Sequence, residues 1–259
     1  DLGKLQEAEL AIRKAIELQP DYANAYFNLS LIELLKGDYK KGLENYEFRF
    51  KHKNNIALHA QPLIGRVNDT KLEKNKKLLV VSEQGLGDTI QFMRYVPKIR
   101  SHGFDVSFCA QPKLHSLIKE SGIDTKPLTP DEANKVTKGQ WIPLLSLPRY
   151  LQVDANNPRI NHPYIFSTKE LNKKWKKILA QEKRPIIGIN WQGNPDVEKS
   201  LLRGRSLPLE NFSTIARENN VKILSLQKGF GSEQMATCSF KENFVTCQNT
   251  IDNIWGFLE

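Results

Sequence analysis

The chain has 259 residues, with 38 Lys+Arg against 29 Asp+Glu for a net charge of +9, and it is 39% hydrophobic and 26% charged. That composition excludes a wholly disordered or fibrous chain, and the length suits one or two domains with a real core. The positive balance favours an anionic partner, whether a phosphorylated ligand, a nucleic acid or an acidic membrane surface.

No apolar run approaches the ~20 residues that a membrane-spanning helix needs. The three cysteines, Cys109, Cys238 and Cys247, are odd in number and lack CxxC spacing. They read as reduced thiols of a cytoplasmic protein, with a peripheral membrane placement left open, and not as a disulfide framework or zinc site. The chain starts at Asp1 without an initiator Met, so a missing N-terminus is expected.

An internal repeat comes first along the chain. Gly3-Lys4-Leu5 recurs as Gly37-Asp38-Tyr39, Ala8 as Gly42 and Ile12 as Tyr46, each pair 34 residues apart. Leu10, Ala11, Lys14, Ala15 and Leu18 pattern a helix that Pro20 closes. Tyr26, Leu29, Ile32 and Leu35 line one face of the next, over 21–36. Gly37-Asp38 is the turn into a third helix over 39–51, and small residues at 8, 15 and 42 suit close helix approach. Ala25-Tyr26, Leu29, Gly37, Tyr39 and Tyr46 together resemble a tetratricopeptide (TPR) unit. About one and a half repeats fall below the roughly three that stand alone, so an array continuing upstream is expected.

Residues 52–76 are polar and charged and contain Pro62, which predicts a surface linker. Residues 77–167 then alternate strand and helix, the α/β signature of a parallel sheet. A strand at Lys77–Ser82 leads into Glu83-Gln84-Gly85-Leu86-Gly87-Asp88, and a helix of about 13 residues follows, with Ile90, Phe92, Met93, Val96 and Ile99 apolar. Phe104–Ala110 is a second strand, Pro112–Ser121 a helix and Trp141–Leu145 a third strand. Residues 168–259 begin again: a polar helix at Thr168–Glu182, a buried-type strand at Pro185–Trp191, a basic loop, a helix over 208–218 and a strand at Val221–Leu226. A short strand near Phe244-Val245 and a helix start at 250–259 complete this half. The expected organisation is a TPR segment (1–51), a linker (52–76) and two Rossmann-like domains (77–167 and 168–259), the second incomplete.

The loop Gly85-Leu86-Gly87-Asp88 is the strongest local signal. Glycines permit a tight turn and close ligand approach, and free amides at a helix start attract negative charge. Asp88 occupies either a helix N-cap or a catalytic position at the carboxyl end of the first strand. Ile90 stands where a dinucleotide fingerprint needs its third glycine, and no Lys-Ser/Thr pair makes a P-loop. The second signal is Trp191-Gln192-Gly193-Asn194 with Arg203, Arg205 and Ser206, joined by Gln227-Lys228 at the next strand's end. Amides can bond a base or sugar and guanidinium can neutralise a diphosphate; a solvated basic loop is the competing reading. The histidines at 52, 59, 102, 115 and 162 have no metal-ligand spacing and read as surface or helix-end residues. Basic residues are not interleaved with aromatics, which leaves nucleic acid unsupported.

The order of these motifs, with Thr89-Ile90-Gln91-Phe92-Met93-Arg94-Tyr95, Pro143-Leu144-Leu145-Ser146-Leu147-Pro148, Gly188–Pro195, Arg205-Ser206-Leu207-Pro208-Leu209 and Ser225–Gly229, resembles the bacterial TPR-linked glycosyltransferases. These are similar to lipopolysaccharide heptosyltransferases and, more distantly, to O-linked N-acetylglucosamine transferases. The resemblance implies a metal-independent GT-B fold of two Rossmann-like domains and a cleft, with a nucleotide sugar as donor substrate and no further cofactor. It implies Asp88 as general base, with Gly85 and Gly87 in the acceptor loop. Gln192, Gly193, Asn194, Arg203, Arg205, Ser206, Gln227 and Lys228 would serve the donor, and the TPR helices would present a glycan or protein acceptor. The family's later Asp-Thr pair and His-containing helix start do not occur before Glu259, so weak or absent activity is expected of this stretch. A TPR scaffold without catalysis is the alternative.

Overall fold

The computed structural model describes residues 3–51, 56–67, 72–154, 156, 162–196, 206–218 and 220–246. The chain is mixed α/β with parallel sheets and divides into two compact units, residues 1–167 and 168–259.

The first unit opens with α1 (Leu5–Leu18), α2 (Ala23–Leu35) and α3 (Tyr39–Tyr46). Asp38 caps α3 by accepting the Lys41 N–H, which fixes the turn that Gly37 enters at φ 85°. α2 and α3 approach so closely that a Cβ on Gly42 would lie 2.7 Å from Leu34 Cγ, whereas Ala8 on α1 is exposed. The third helix ends earlier than its periodicity predicts, and Glu47–Lys51 tightens into a 3-10 turn.

A four-stranded parallel sheet follows, β1 (Gly65–Arg66), β2 (Leu78–Val81), β3 (Val106–Cys109) and β4 (Gln140–Pro143), in the order β1-β4-β2-β3. The run Leu78-Leu79-Val80-Val81 is buried throughout, as a strand covered on both faces must be. Leu78 and Val80 join Phe108 and Ile142 on one face; Leu79 and Val81 join Cys109 and Trp141 on the other. The first face carries α5 (Tyr95–Ser101), α6 (His115–Glu120) and α8 (Leu147–Tyr150) through Val96, Ile99, Ile118 and Leu147. The second is covered by Ala133 of α7 (Pro130–Asn134) and by Leu58, Ala60 and Ile64.

Residues 56–67 therefore do not run over a surface as a linker: they cover one face of the sheet and supply its edge strand, β1. The expected 13-residue helix is likewise two, α4 (Leu86–Phe92) and α5. Pro97 has no N–H for the Met93 carbonyl, and its ring would clash with that group in a continuous helix, so the axis breaks at 93–94.

In the second unit α9 (Lys169–Leu179) precedes β5 (Ile186–Ile189), α10 (Ser213–Glu218) and β6 (Lys222–Ser225). β5 and β6 pair in parallel, and a single parallel bridge from Ile223 to Phe244 stands where a third strand was expected. Ile189, Trp191, Leu209, Ala216, Ile223 and Phe240 form the core. β5 is not buried on both faces as its apolar sequence predicts, for Ile187 stays 37% exposed. The predicted helix start at 250–259 lies outside the described residues.

Candidate functional site

Open parallel sheets bind ligands at the carboxyl ends of their strands, at the point where strand order reverses. In the first unit that point lies between β2 and β4, since the chain leaves β2 for β3 on one side and returns to β4 on the other. It is filled by an ion pair. Arg49, from the turn after α3, donates Nε to Glu83 Oε2 at 3.1 Å and Nη2 to Glu83 Oε1 at 3.0 Å, and both side chains are fully buried. Glu83 Oε1 also accepts the Leu145 N–H, while Ser146 Oγ accepts from Arg49 and donates to Glu47. Burial works against the Arg49 charge, but its bonds and attraction to Glu83, then Glu47, outweigh it and hold its pKa above the ordinary value. The helical segment and the sheet are thereby locked into one unit.

Beside this pair, β2 runs out through Ser82 into the Gly85–Asp88 loop. The tight turn is made by Gln84 at φ 62°, and not by the glycines: Gly85 has φ −84° and is extended. A left-handed non-glycine residue costs about 1–2 kcal/mol. Here it is held by the Gln84 N–H on Ala57 O and by its Nε2 on Tyr46 Oη at 3.1 Å. A Cβ on Gly87 would meet nothing within 4 Å, so the backbone there is open to approach. Asp88 is not the N-cap. Gly85 holds that position and Asp88 is the third helical residue, its Oδ2 accepting the Gly85 N–H at 2.9 Å while the side chain stays half-buried.

A polar chain spans the ends of β2 and β3 next to Asp88. Thr89 Oγ1 meets Gln111 Oε1 at 2.9 Å, Gln111 Nε2 lies 3.4 Å from His59 Nε2, and His59 Nδ1 is 2.8 Å from Ser82 Oγ. His59 is thus not a surface histidine. Its position is invisible from spacing because the other members come from three separate elements. The Cys109 thiol at the end of β3 is no nucleophile at neutral pH: burial pushes its pKa up to about 12.

In the second unit the loops after β5 and β6 are tied to each other. Gln227 Oε1 accepts the N–H groups of Trp191 (3.3 Å) and Gln192 (2.9 Å), and its Nε2 donates to Phe230 O. Gln227 is buried, and these bonds use both ends of its amide, so it positions the loops and is not itself turned to a ligand. Within the connection after β5, Ser206 Oγ accepts from Gly193 N at 2.9 Å. Gly231 packs so tightly on Gln192 that an added Cβ would fall 2.3 Å from its Cγ, and at φ 91° it favours glycine anyway. Asn194, whose Oδ1 accepts the Asp196 N–H, and Lys228 remain exposed on these loops. Arg203 and Arg205 lie outside the described residues.

Gln227→Ala is expected to leave the buried Trp191 N–H and the part-buried Gln192 N–H without their acceptor and to cost about 1–3 kcal/mol. Hydrogen exchange should accelerate at Trp191 and Gln192 with little change at β2.

Among the described residues no group of three or more His, Cys, Asp or Glu could hold a metal ion, and no helix is long and apolar enough to cross a membrane. Comparison with family models, with curated proteins and with solved structures finds no match.

Proposed function

We propose that the chain is part of a glycosyltransferase of the TPR-linked, GT-B kind, which transfers a sugar from a nucleotide sugar to a glycan or protein hydroxyl without a metal ion. The observation that carries this reading is the pair of loops at the carboxyl ends of parallel β5 and β6, drawn together by Gln227 and presenting Asn194 and Lys228. A nucleotide sugar needs such a surface, with amides for base or sugar and a cation for diphosphate. In the first unit the Asp88 carboxylate would accept the acceptor hydroxyl's proton as that oxygen bonds to the anomeric carbon, while the nucleoside diphosphate leaves with the electron pair of the broken bond. The TPR-like helices would present the acceptor.

The test is isothermal titration with UDP-, GDP- and ADP-sugars. Saturable binding of one of the three, weakened by Lys228→Ala, is expected; no binding of any would end the enzyme reading. The alternative, a scaffold without catalysis, draws on the structural work that Asp88 already does in the first turn of α4.

A further inference from the structure

Three cations gather beside the buried Arg49–Glu83 pair, around a cavity of 530 Å³. Such a volume is within the ~300–1,000 Å³ range of small-molecule sites. Lys51, Arg66 and Arg149 line it, with the carboxylates of Glu44 and Glu47 and the rings of Phe48 and Phe50. Of the carboxylates, Glu47 is already committed, since its Oε1 accepts from both Arg49 (2.9 Å) and Ser146 (2.7 Å).

Arg66 is the residue left short. Its only ion-pair contact among the described residues is Glu47 Oε2 at a loose 3.5 Å, and its buried Nε donates to no acceptor there. Its guanidinium lies 3.7 Å from the Phe50 ring centroid, where Arg49 also packs at 4.1 Å. A guanidinium so placed is half out of water without the bidentate partner its geometry suits. Burial, together with the charge of Arg49, lowers its pKa against the pull of Glu47, so its positive charge is under-compensated.

We infer that this cavity binds a phosphate monoester carried on an aromatic or apolar body, with Arg66 as its principal anchor, Lys51 and Arg149 as supporting cations and the phenylalanines against the body. A dianion supplies the charge that Glu47 is too shared to give, and the ring walls explain why the pocket is not lined by cations alone. The site lies wholly within the first unit and does not depend on the glycosyltransferase reading.

Titrating the full chain with inorganic phosphate and with phenyl phosphate tests this, by calorimetry and by the Nε–H resonance of Arg66 in arginine-labelled protein. Both probes should bind saturably, phenyl phosphate more tightly, and the Arg66 resonance should move. Arg66→Gln should weaken phenyl phosphate by about tenfold or more, the worth of one charge-assisted bond. Lys51→Ala, at an exposed position, should weaken it about threefold, and it decides the matter if Arg66→Gln does not fold. Lys176→Ala, on α9 in the second unit, should change nothing. Absence of saturation, a still Arg66 resonance, unchanged affinity in folded Arg66→Gln or in Lys51→Ala, or loss of binding in Lys176→Ala would each overturn the assignment.

Discussion

Arg49→Met is expected to cost about 3–5 kcal/mol, the scale for removing one partner of a fully buried ion pair. Without the guanidinium, Glu83 stays sealed from water with the Leu145 N–H as the contact that remains to its Oε1, and Ser146 Oγ loses a donor. Urea unfolding followed by circular dichroism reads the loss. The control is the double variant Arg49→Met, Glu83→Leu. Replacing a buried ion pair by apolar groups is often close to neutral, so the double variant should lose less than Arg49→Met alone. Some loss must remain, because Arg49 also serves Tyr46 O and Glu47. A single variant costing under about 1 kcal/mol, or a double variant equal to the sum of its singles, would show that the pair does not lock the unit. Hydrogen exchange adds direction: α3 and the Gly85 turn should loosen together, since Gln84 is held through Tyr46.

Arg49 also marks where sequence reading stops. Glu47-Phe48-Arg49-Phe50-Lys51 alternates charge and ring at the end of the helix expected over 39–51, and nothing in that pattern marks Arg49 as inward. Only the partner 34 residues away shows that Arg49 points inward. β2 was legible because four consecutive apolar residues can only be a strand covered on both sides or a short buried helix, and the turn residues after it decide for strand. β1 was not legible, for two residues carry no periodicity and pair only because β4 offers a free edge. The cover given by Leu58, Ala60 and Ile64 was hidden for a similar reason: three apolar side chains spaced through a polar stretch look like a linker until a sheet lies beneath them. The Gly85–Asp88 loop was legible in place but not in mechanics. Glycines drew attention to it, yet the strained turn fell on Gln84, whose long side chain could reach Tyr46. In the second unit Gln227 reads from sequence as a ligand residue, whereas its buried amide holds two loops together.

Under the glycosyltransferase proposal, Asp88→Asn is expected to lower sugar transfer by about 10²–10⁴-fold, the usual contribution of a general base. The substitution is selective by geometry. The amide side chain would keep an oxygen for the Gly85 N–H, so the first turn of α4 persists and only the charge favourable to the helix start is lost, about 0.3–1 kcal/mol. Stability and chemistry therefore separate. Asp88→Ala removes both the base and the Gly85 acceptor and should lose similar activity with a larger stability change, which identifies the lost step as proton transfer and not loop collapse. Donor binding should be the same in all three proteins, since the loops proposed for the donor, held together by Gln227, belong to the other unit. Single-turnover transfer, with protein in excess of labelled nucleotide sugar, keeps a slow reaction measurable. Equal transfer by the parent and Asp88→Asn would remove Asp88 from the chemistry. No transfer by either, with nucleotide sugar and acceptor both bound by each, would favour the scaffold, in which the Asp88 carboxylate does nothing beyond closing the first turn of its helix.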